Sequence, residues 1–148
     1  MFSNKAQNNS NLNTLQQQKG NEKQTETLWE LSFDGSCSKT SSRAGVWIHN
    51  TNQGHSYKLD FQCTSNIAEY QALLLGLHLL KDLGAKKISV QGDSKLIIRQ
   101  IRGEYSAKNP RLREYTLDLL IFFGKYELIF IPRAQNHLAN ELAFAARN

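Results

Sequence analysis

The sequence predicts an α/β domain in which a five-stranded mixed sheet carries helices on its faces. Three observations lead there. Three successive segments alternate apolar and polar residues, a long helical period follows them, and strand and helix patterns then alternate to give the order βββαβααβα. A meander joined by short turns is antiparallel, whereas strands separated by helices run parallel, so the two halves together specify a mixed sheet.

Leu28-Trp29-Glu30-Leu31-Ser32-Phe33 alternates as a strand does and gives way to a turn at Asp34-Gly35. Ala44 to Ile48 is a second strand. Asn50 to Gly54 supplies turn residues, and His55 to Cys63 alternates again through Tyr57, Leu59 and Phe61. From Ile67 to Leu83 the period becomes helical, with Ala68, Ala72, Leu75, Gly76 and Leu79 on one face and Gly84 as the stop. Lys87 to Gly92 is a short strand, and Ser94 is placed to cap a helix that runs to Ile101. Pro110 opens a third helix carrying Leu112, Tyr115, Leu119, Leu120 and Phe123. Tyr126 to Ile131 is the last strand, ended by Pro132, and Leu138 to Ala146 a terminal helix.

With 148 residues, 40% of them hydrophobic and 21% charged, the chain is sized for one domain with a proper core. Residues 1–27 differ: they are dominated by Asn and Gln and hold too few core-forming side chains to offset their chain entropy, so they are expected to form a disordered tail before a domain at 28–148. Lys and Arg number 18 against 13 Asp and Glu, a net charge of +5 that permits a polyanionic partner without requiring one. Cys37 and Cys63 form no C-x-x-C pair, so neither a zinc site nor a disulfide framework is indicated. No apolar run approaches the roughly 18 residues of a membrane span, and Met1-Phe2-Ser3-Asn4 begins no secretory signal. An intracellular, non-secreted, monomeric protein without membrane contact is the expectation.

The chemistry depends on three acids from three elements. Asp34 ends the first strand, Glu69 lies near the start of the long helix, and Asp93 ends the fourth strand. Ligands in α/β sheets collect where strand ends and helix starts converge, so the three can meet. Carboxylates forced together repel unless a cation compensates, and an all-oxygen set suits Mg²⁺ or Mn²⁺. Two such ions about 3.5–4 Å apart can activate water and stabilise the leaving oxygen of a phosphodiester. Acids at strand ends are also common as turn and cap residues, and spacing alone leaves both readings open.

The local words narrow that choice. Phe33-Asp34-Gly35-Ser36-Cys37, Thr64-Ser65-Asn66-Ile67-Ala68-Glu69-Tyr70, Gly92-Asp93-Ser94-Lys95-Leu96, Asn109-Pro110-Arg111-Leu112 and Ile131-Pro132-Arg133-Ala134-Gln135-Asn136-His137-Leu138-Ala139-Asn140-Glu141-Leu142-Ala143 stand in family order. Together they resemble the ribonuclease HI family, in the branch of archaeal-type and plant retrotransposon ribonucleases H, from about Leu28 to Ala146. The resemblance implies a ribonuclease H-like fold whose first three strands are antiparallel. It implies that Asp34, Glu69 and Asp93 hold two divalent metals, Mg²⁺ or Mn²⁺, for hydrolysis of the RNA strand of an RNA–DNA hybrid, leaving 3′-hydroxyl and 5′-phosphate ends. Ser65 and Asn66 match the polar pair that contacts the minor groove, a placement suited to detecting 2′-hydroxyls. Ser36 and Ser94 join them as candidate substrate contacts, and Arg133 is the candidate cation near the scissile phosphate.

Two departures bear on function. The family frame N-x-x-A-D-x-L-A carries a fourth metal-site carboxylate where this chain has Asn140. An amide keeps an oxygen donor but lacks the full charge, which predicts weaker metal binding and reduced activity. Glu141 is rotated by about 100° around the helix and is a poor replacement. The segment Ser38-Lys39-Thr40-Ser41-Ser42-Arg43 replaces a Gly- and Pro-rich turn, and reads either as a phosphate contact through Lys39 and Arg43 or as an ordinary hairpin connection. His137 reads as a solvated helix-start residue, and His78 as structural or surface. Two other readings stay in view beside the nuclease: a catalytically silent RNA- or hybrid-binding module, supported by Asn140, and a structural domain derived from a retroelement.

Overall fold

The computed structural model describes residues 26–60 and 64–145; the expected tail therefore lies, for residues 1–25, outside the described residues, as does Cys63. The strands are β1 (Leu28–Cys37), β2 (Ser42–Ile48), β3 (Gln53–Leu59), β4 (Lys87–Gly92) and β5 (Lys125–Phe130). The helices are α1 (Ser65–Asp82), α2 (Lys95–Ile101), α3 (Pro110–Phe123) and α4 (His137–Ala145), the last entered through a 3₁₀ turn at Arg133–Asn136. Sheet order is β3-β2-β1-β4-β5. The β1–β2 and β2–β3 pairs are antiparallel, and β1–β4 and β4–β5 are parallel, which is the mixed sheet the element order specifies.

β1 is central and its alternation is used on both faces. Leu31 and Phe33 are fully buried in the main core with Tyr70, Leu73, Leu77 and Leu80 of α1 and Leu120 and Phe123 of α3. Each such side chain contributes about 1.5–3 kcal/mol by leaving water. α4 packs on β1, β2 and β3 from the other side. Gly45 makes that approach possible: a Cβ there would collide with the Ala139 carbonyl and the Ala143 nitrogen of α4.

Helix starts follow local chemistry. Thr64 Oγ1 accepts from the Ile67 N–H at 3.2 Å, so α1 opens at Ser65, two residues before the apolar period begins. Ser94 caps α2 in the same way, accepting from the Ile97 N–H at 3.3 Å. Pro110 stands at the first position of α3, as its fixed φ and missing N–H favour.

β1 differs from the expected strand. It does not stop at Asp34-Gly35 but continues to Cys37, pairing Asp34 with Gly45 and Cys37 with Ser42. The hairpin turn lies beyond, closed by the Ser38 N–H on the Ser41 carbonyl at 2.7 Å. Alternation reports side-chain burial, and Gly35 and Ser36 carry no apolar side chain to report, although their backbones pair normally. Gly35 is required where it is: α1 crosses so close that a Cβ would collide with the Ala68 carbonyl and the Glu69 nitrogen.

Candidate active site

The parallel register of β1 and β4 places Phe33 opposite Gly92. The residues that follow therefore stand side by side, Asp34 within β1 and Asp93 just past the end of β4. Glu69 reaches them from α1, lying over Gly35, whose N–H donates to Glu69 Oε1 at 3.1 Å. Asp34, Glu69 and Asp93 each offer a carboxylate oxygen, and these oxygens lie within 4.8 Å of one another. The convergence is tight and shielded: Asp34 is 4% exposed, and the Asp93 side chain 5%.

That geometry concentrates negative charge. The Asp34 carboxyl is pushed from 3.8 up to about 7, chiefly by burial and then by the charge of Asp93, against the pull of Arg133. Glu69 is also pushed well up, by burial first and then by Asp34 and Asp93, although the Gly35 N–H and Arg133 favour its charged form. Asp93 Oδ2 is buried without a hydrogen bond, and Arg133 Nη1 stands 3.8 Å away on a side chain that is 77% exposed. One exposed guanidinium cannot balance three buried carboxyls. Three oxygen donors short of positive charge fit a hard divalent cation.

α4 carries Asn140, the residue at the fourth position of the family frame. Its backbone lies against Gly45, the β2 partner of Asp34. Asn140 Nδ2 donates to the Arg133 carbonyl at 3.3 Å, while Asn140 Oδ1 is buried with no hydrogen-bond partner. The amide thus presents a spare oxygen without the charge of an acid. Asn136 anchors this corner by donating to the Phe33 carbonyl at 3.0 Å, one residue before Asp34. The sequence reading assigns Asn136 no role. Its place in the N-x-x-A frame was the available signal.

The remaining sequence-derived residues take varied positions. Ser65 and Asn66 begin α1, four and three residues before Glu69. Ser65 Oγ lies 3.3 Å from Cys37 Sγ. Asn66 Nδ2 donates to Gln100 Oε1 of α2 at 3.4 Å, a partner that sequence reasoning did not find because an amide inside an apolar helix carries no positional signal. Ser36 Oγ is buried on β1 with no hydrogen-bond partner, and Ser94 spends its hydroxyl on the α2 cap. Arg43 departs from its loop reading: it lies within β2, paired with Ser36, and is 5% exposed, so at that residue the Ser38–Arg43 segment is already strand. His137 is exposed at the start of α4, and His78 Nε2 sits 3.0 Å from Tyr115 Oη.

A five-stranded sheet with an antiparallel first half, and acids from β1, from α1 and from just past β4 gathered together, defines a protein of ribonuclease H type. A model of the reverse transcriptase-like family matches residues 32–146, and the chain belongs to that family. It is 35% identical over 85 residues to a ribonuclease HI of Halobacterium salinarum, covering 55% of this chain and 43% of that protein. It is 33% identical over 105 residues to the bifunctional protein Rv2228c of Mycobacterium tuberculosis, covering 68% of this chain but 29% of that one. The chain thus spans less than half the length of either relative. Among solved structures, ribonuclease H1 of Halobacterium salinarum superposes with a TM-score of 0.76 at 27% identity, over 82% of this chain and 98% of that one. LC11 ribonuclease H1, solved with an RNA/DNA hybrid, gives 0.65 at 28% identity, over 81% of this chain and 99% of that one.

Proposed function

We propose that this chain is a metal-dependent endonuclease that hydrolyses the RNA strand of RNA–DNA hybrids, leaving 3′-hydroxyl and 5′-phosphate ends. The observation that carries the reading is the convergence of Asp34, Glu69 and Asp93 within 4.8 Å, with Arg133 compensating only part of their charge. Family membership and the hybrid-bound relative support the substrate class.

In this reading the three carboxylates hold two Mg²⁺ or Mn²⁺ ions, with the Asn140 carbonyl oxygen as a weaker fourth donor. Bound ions would supply Lewis-acid activation of water and charge neutralisation at the phosphate. The chain's own groups do the rest. The Gly35 N–H holds the Glu69 carboxylate in place. Arg133, its side chain 77% exposed, binds the phosphate that approaches Asp93. Ser36, Ser65, Asn66 and Ser94 are the substrate contacts in this reading, with Asn66 assigned to the 2′-hydroxyl, which separates RNA from DNA.

We further read residues 28–148 as one monomeric intracellular domain with the preceding tail outside the chemistry. Among the described residues no helix is long and apolar enough to cross a membrane. Asn140 favours a second reading, a silent hybrid-binding module. One experiment separates them: the full chain is incubated with labelled hybrid, duplex RNA and duplex DNA in Mg²⁺ or Mn²⁺, beside Asp93→Asn. Cleavage confined to the hybrid and lost in Asp93→Asn is expected. Binding without cleavage in either metal gives the silent module instead.

A further inference from the structure

Phe130 ends β5 at 37% exposure, in register with Gly92, the residue before Asp93. The strand end is fixed there, because the Ile131 N–H donates to the Gly92 carbonyl at 2.9 Å. Lys95, two residues past Asp93, opens α2 and lays its Nζ over the Phe130 ring, 5.1 Å from the centroid. The negative face of an aromatic ring holds an ammonium without neutralising it as a carboxylate does.

The helix that Lys95 starts does not account for a cation there. Positive charge in the first turn opposes the helix dipole, and α2 has no acid in that turn to offset it. No ion pair accounts for it either: among the described residues Arg99 pairs with Glu104 and Arg133 with Asp93, and Lys95 pairs with no acid. The two cations that flank Asp93 in sequence and in space therefore differ. Arg133 Nη1 is drawn to Asp93 Oδ2 at 3.8 Å and spends part of its charge on the acids. Lys95 is exposed and tethered to a neutral ring, so its charge stays available to an anion from outside.

We propose that Lys95 is a substrate-binding residue and Phe130 the residue that positions it: the Phe130 ring holds the Lys95 ammonium beside Asp93, where it takes an RNA-strand phosphodiester next to the one at the acids. This rests on the nuclease reading above, which brings the RNA strand to Asp93. A residue two along from Asp93 meets the next phosphate of that strand before it meets the DNA strand across the groove.

The test measures KM and kcat of the full chain with Mn²⁺ on a labelled hybrid, between about 50 and 200 mM KCl. Lys95 is exposed, so Lys95→Gln leaves the core intact. It is expected to raise KM about three- to tenfold at the lowest salt, with kcat within about twofold of wild type. Loss of one phosphate contact also flattens the dependence of log KM on log salt by about one, a change that a structural role would not produce. Lys95→Arg restores both KM and the slope. Phe130→Leu raises KM about two- to threefold and adds nothing on top of Lys95→Gln, because the ring acts only through the ammonium. Phe130→Tyr keeps the aromatic face and stays close to wild type. On a hybrid whose DNA strand carries uncharged methylphosphonate linkages the Lys95→Gln penalty persists; its disappearance there would move the contact to the DNA strand and overturn the assignment to RNA. A wild-type chain that cleaves hybrid, with Lys95→Gln unchanged in KM and in salt slope, overturns the inference and leaves the nuclease reading standing. Full additivity of Phe130→Leu with Lys95→Gln overturns the part given to Phe130. A wild-type chain that neither binds nor cleaves hybrid overturns that reading, and this inference with it.

Discussion

In the proposed reading, Asn140 is the residue on which the level of activity turns. Its Oδ1 is buried and free to donate a lone pair, but it brings no charge to three carboxyls that need a cation. Asn140→Asp is expected to tighten divalent binding and raise Mg²⁺-supported hybrid cleavage by about tenfold, with a smaller gain in Mn²⁺. Equal rates for both chains in both metals would contradict this. Asp34 gives a second residue-scale prediction. Its folded-state carboxyl sits at about 7 against 3.8 as a free group, so the folded chain binds more protons than the unfolded chain between those values. Metal-free stability therefore falls as pH rises through that window, by up to on the order of 4 kcal/mol, and levels off beyond it. Asp34→Asn removes the group, and its urea midpoint is expected to fall less steeply from pH 4 to pH 8, ending above that of wild type without metal. Parallel curves for the two chains would show that Asp34 is not the strained carboxyl. At this scale the sequence read well where a residue belongs to a recognisable word, as Asp34, Glu69 and Asp93 do. It read poorly where a role depends on what lies across the core: Gln100 and Asn136 act through bonds to α1 and β1, and neither partner is near in sequence.

At the scale of elements, the site depends on how closely α1 passes over β1. Gly35 allows that approach and donates the hydrogen bond that holds Glu69. Gly35→Ala is expected to push α1 away from β1, lowering stability by about 1–3 kcal/mol by urea denaturation and reducing hybrid cleavage beyond what the stability loss explains. A variant with the wild-type midpoint would mean that the approach is looser than described. The starts of α2 and α3 and the parallel strands were readable because the Ser94 cap, Pro110 and unbroken apolar runs are local signals; the start of α1 was read two residues late because its Thr64 cap precedes the apolar period. The second half of β1 was not readable, because Asp34-Gly35-Ser36-Cys37 pairs through its backbone without an apolar alternation to announce it. Arg43 was left outside the strand for the same reason: the apolar run begins only at Ala44, while the backbone pairing begins at Ser42.

For the whole molecule, the order βββαβααβα was enough to give the mixed sheet, since parallel and antiparallel pairing follow from which strands have helices between them. That topology puts β1 beside β4 and lays α1 and α4 on opposite faces of β1, so the ends of separate elements meet at one place. The central claim is that this place is a divalent cation site made by Asp34, Glu69 and Asp93. Calorimetric titration of the metal-free full chain with Mn²⁺ at pH 8, beside Asp93→Asn, tests it most directly. The account predicts saturable binding with release of protons in wild type, and binding weakened by at least about tenfold in Asp93→Asn; no binding, or equal binding by the two chains, would contradict it.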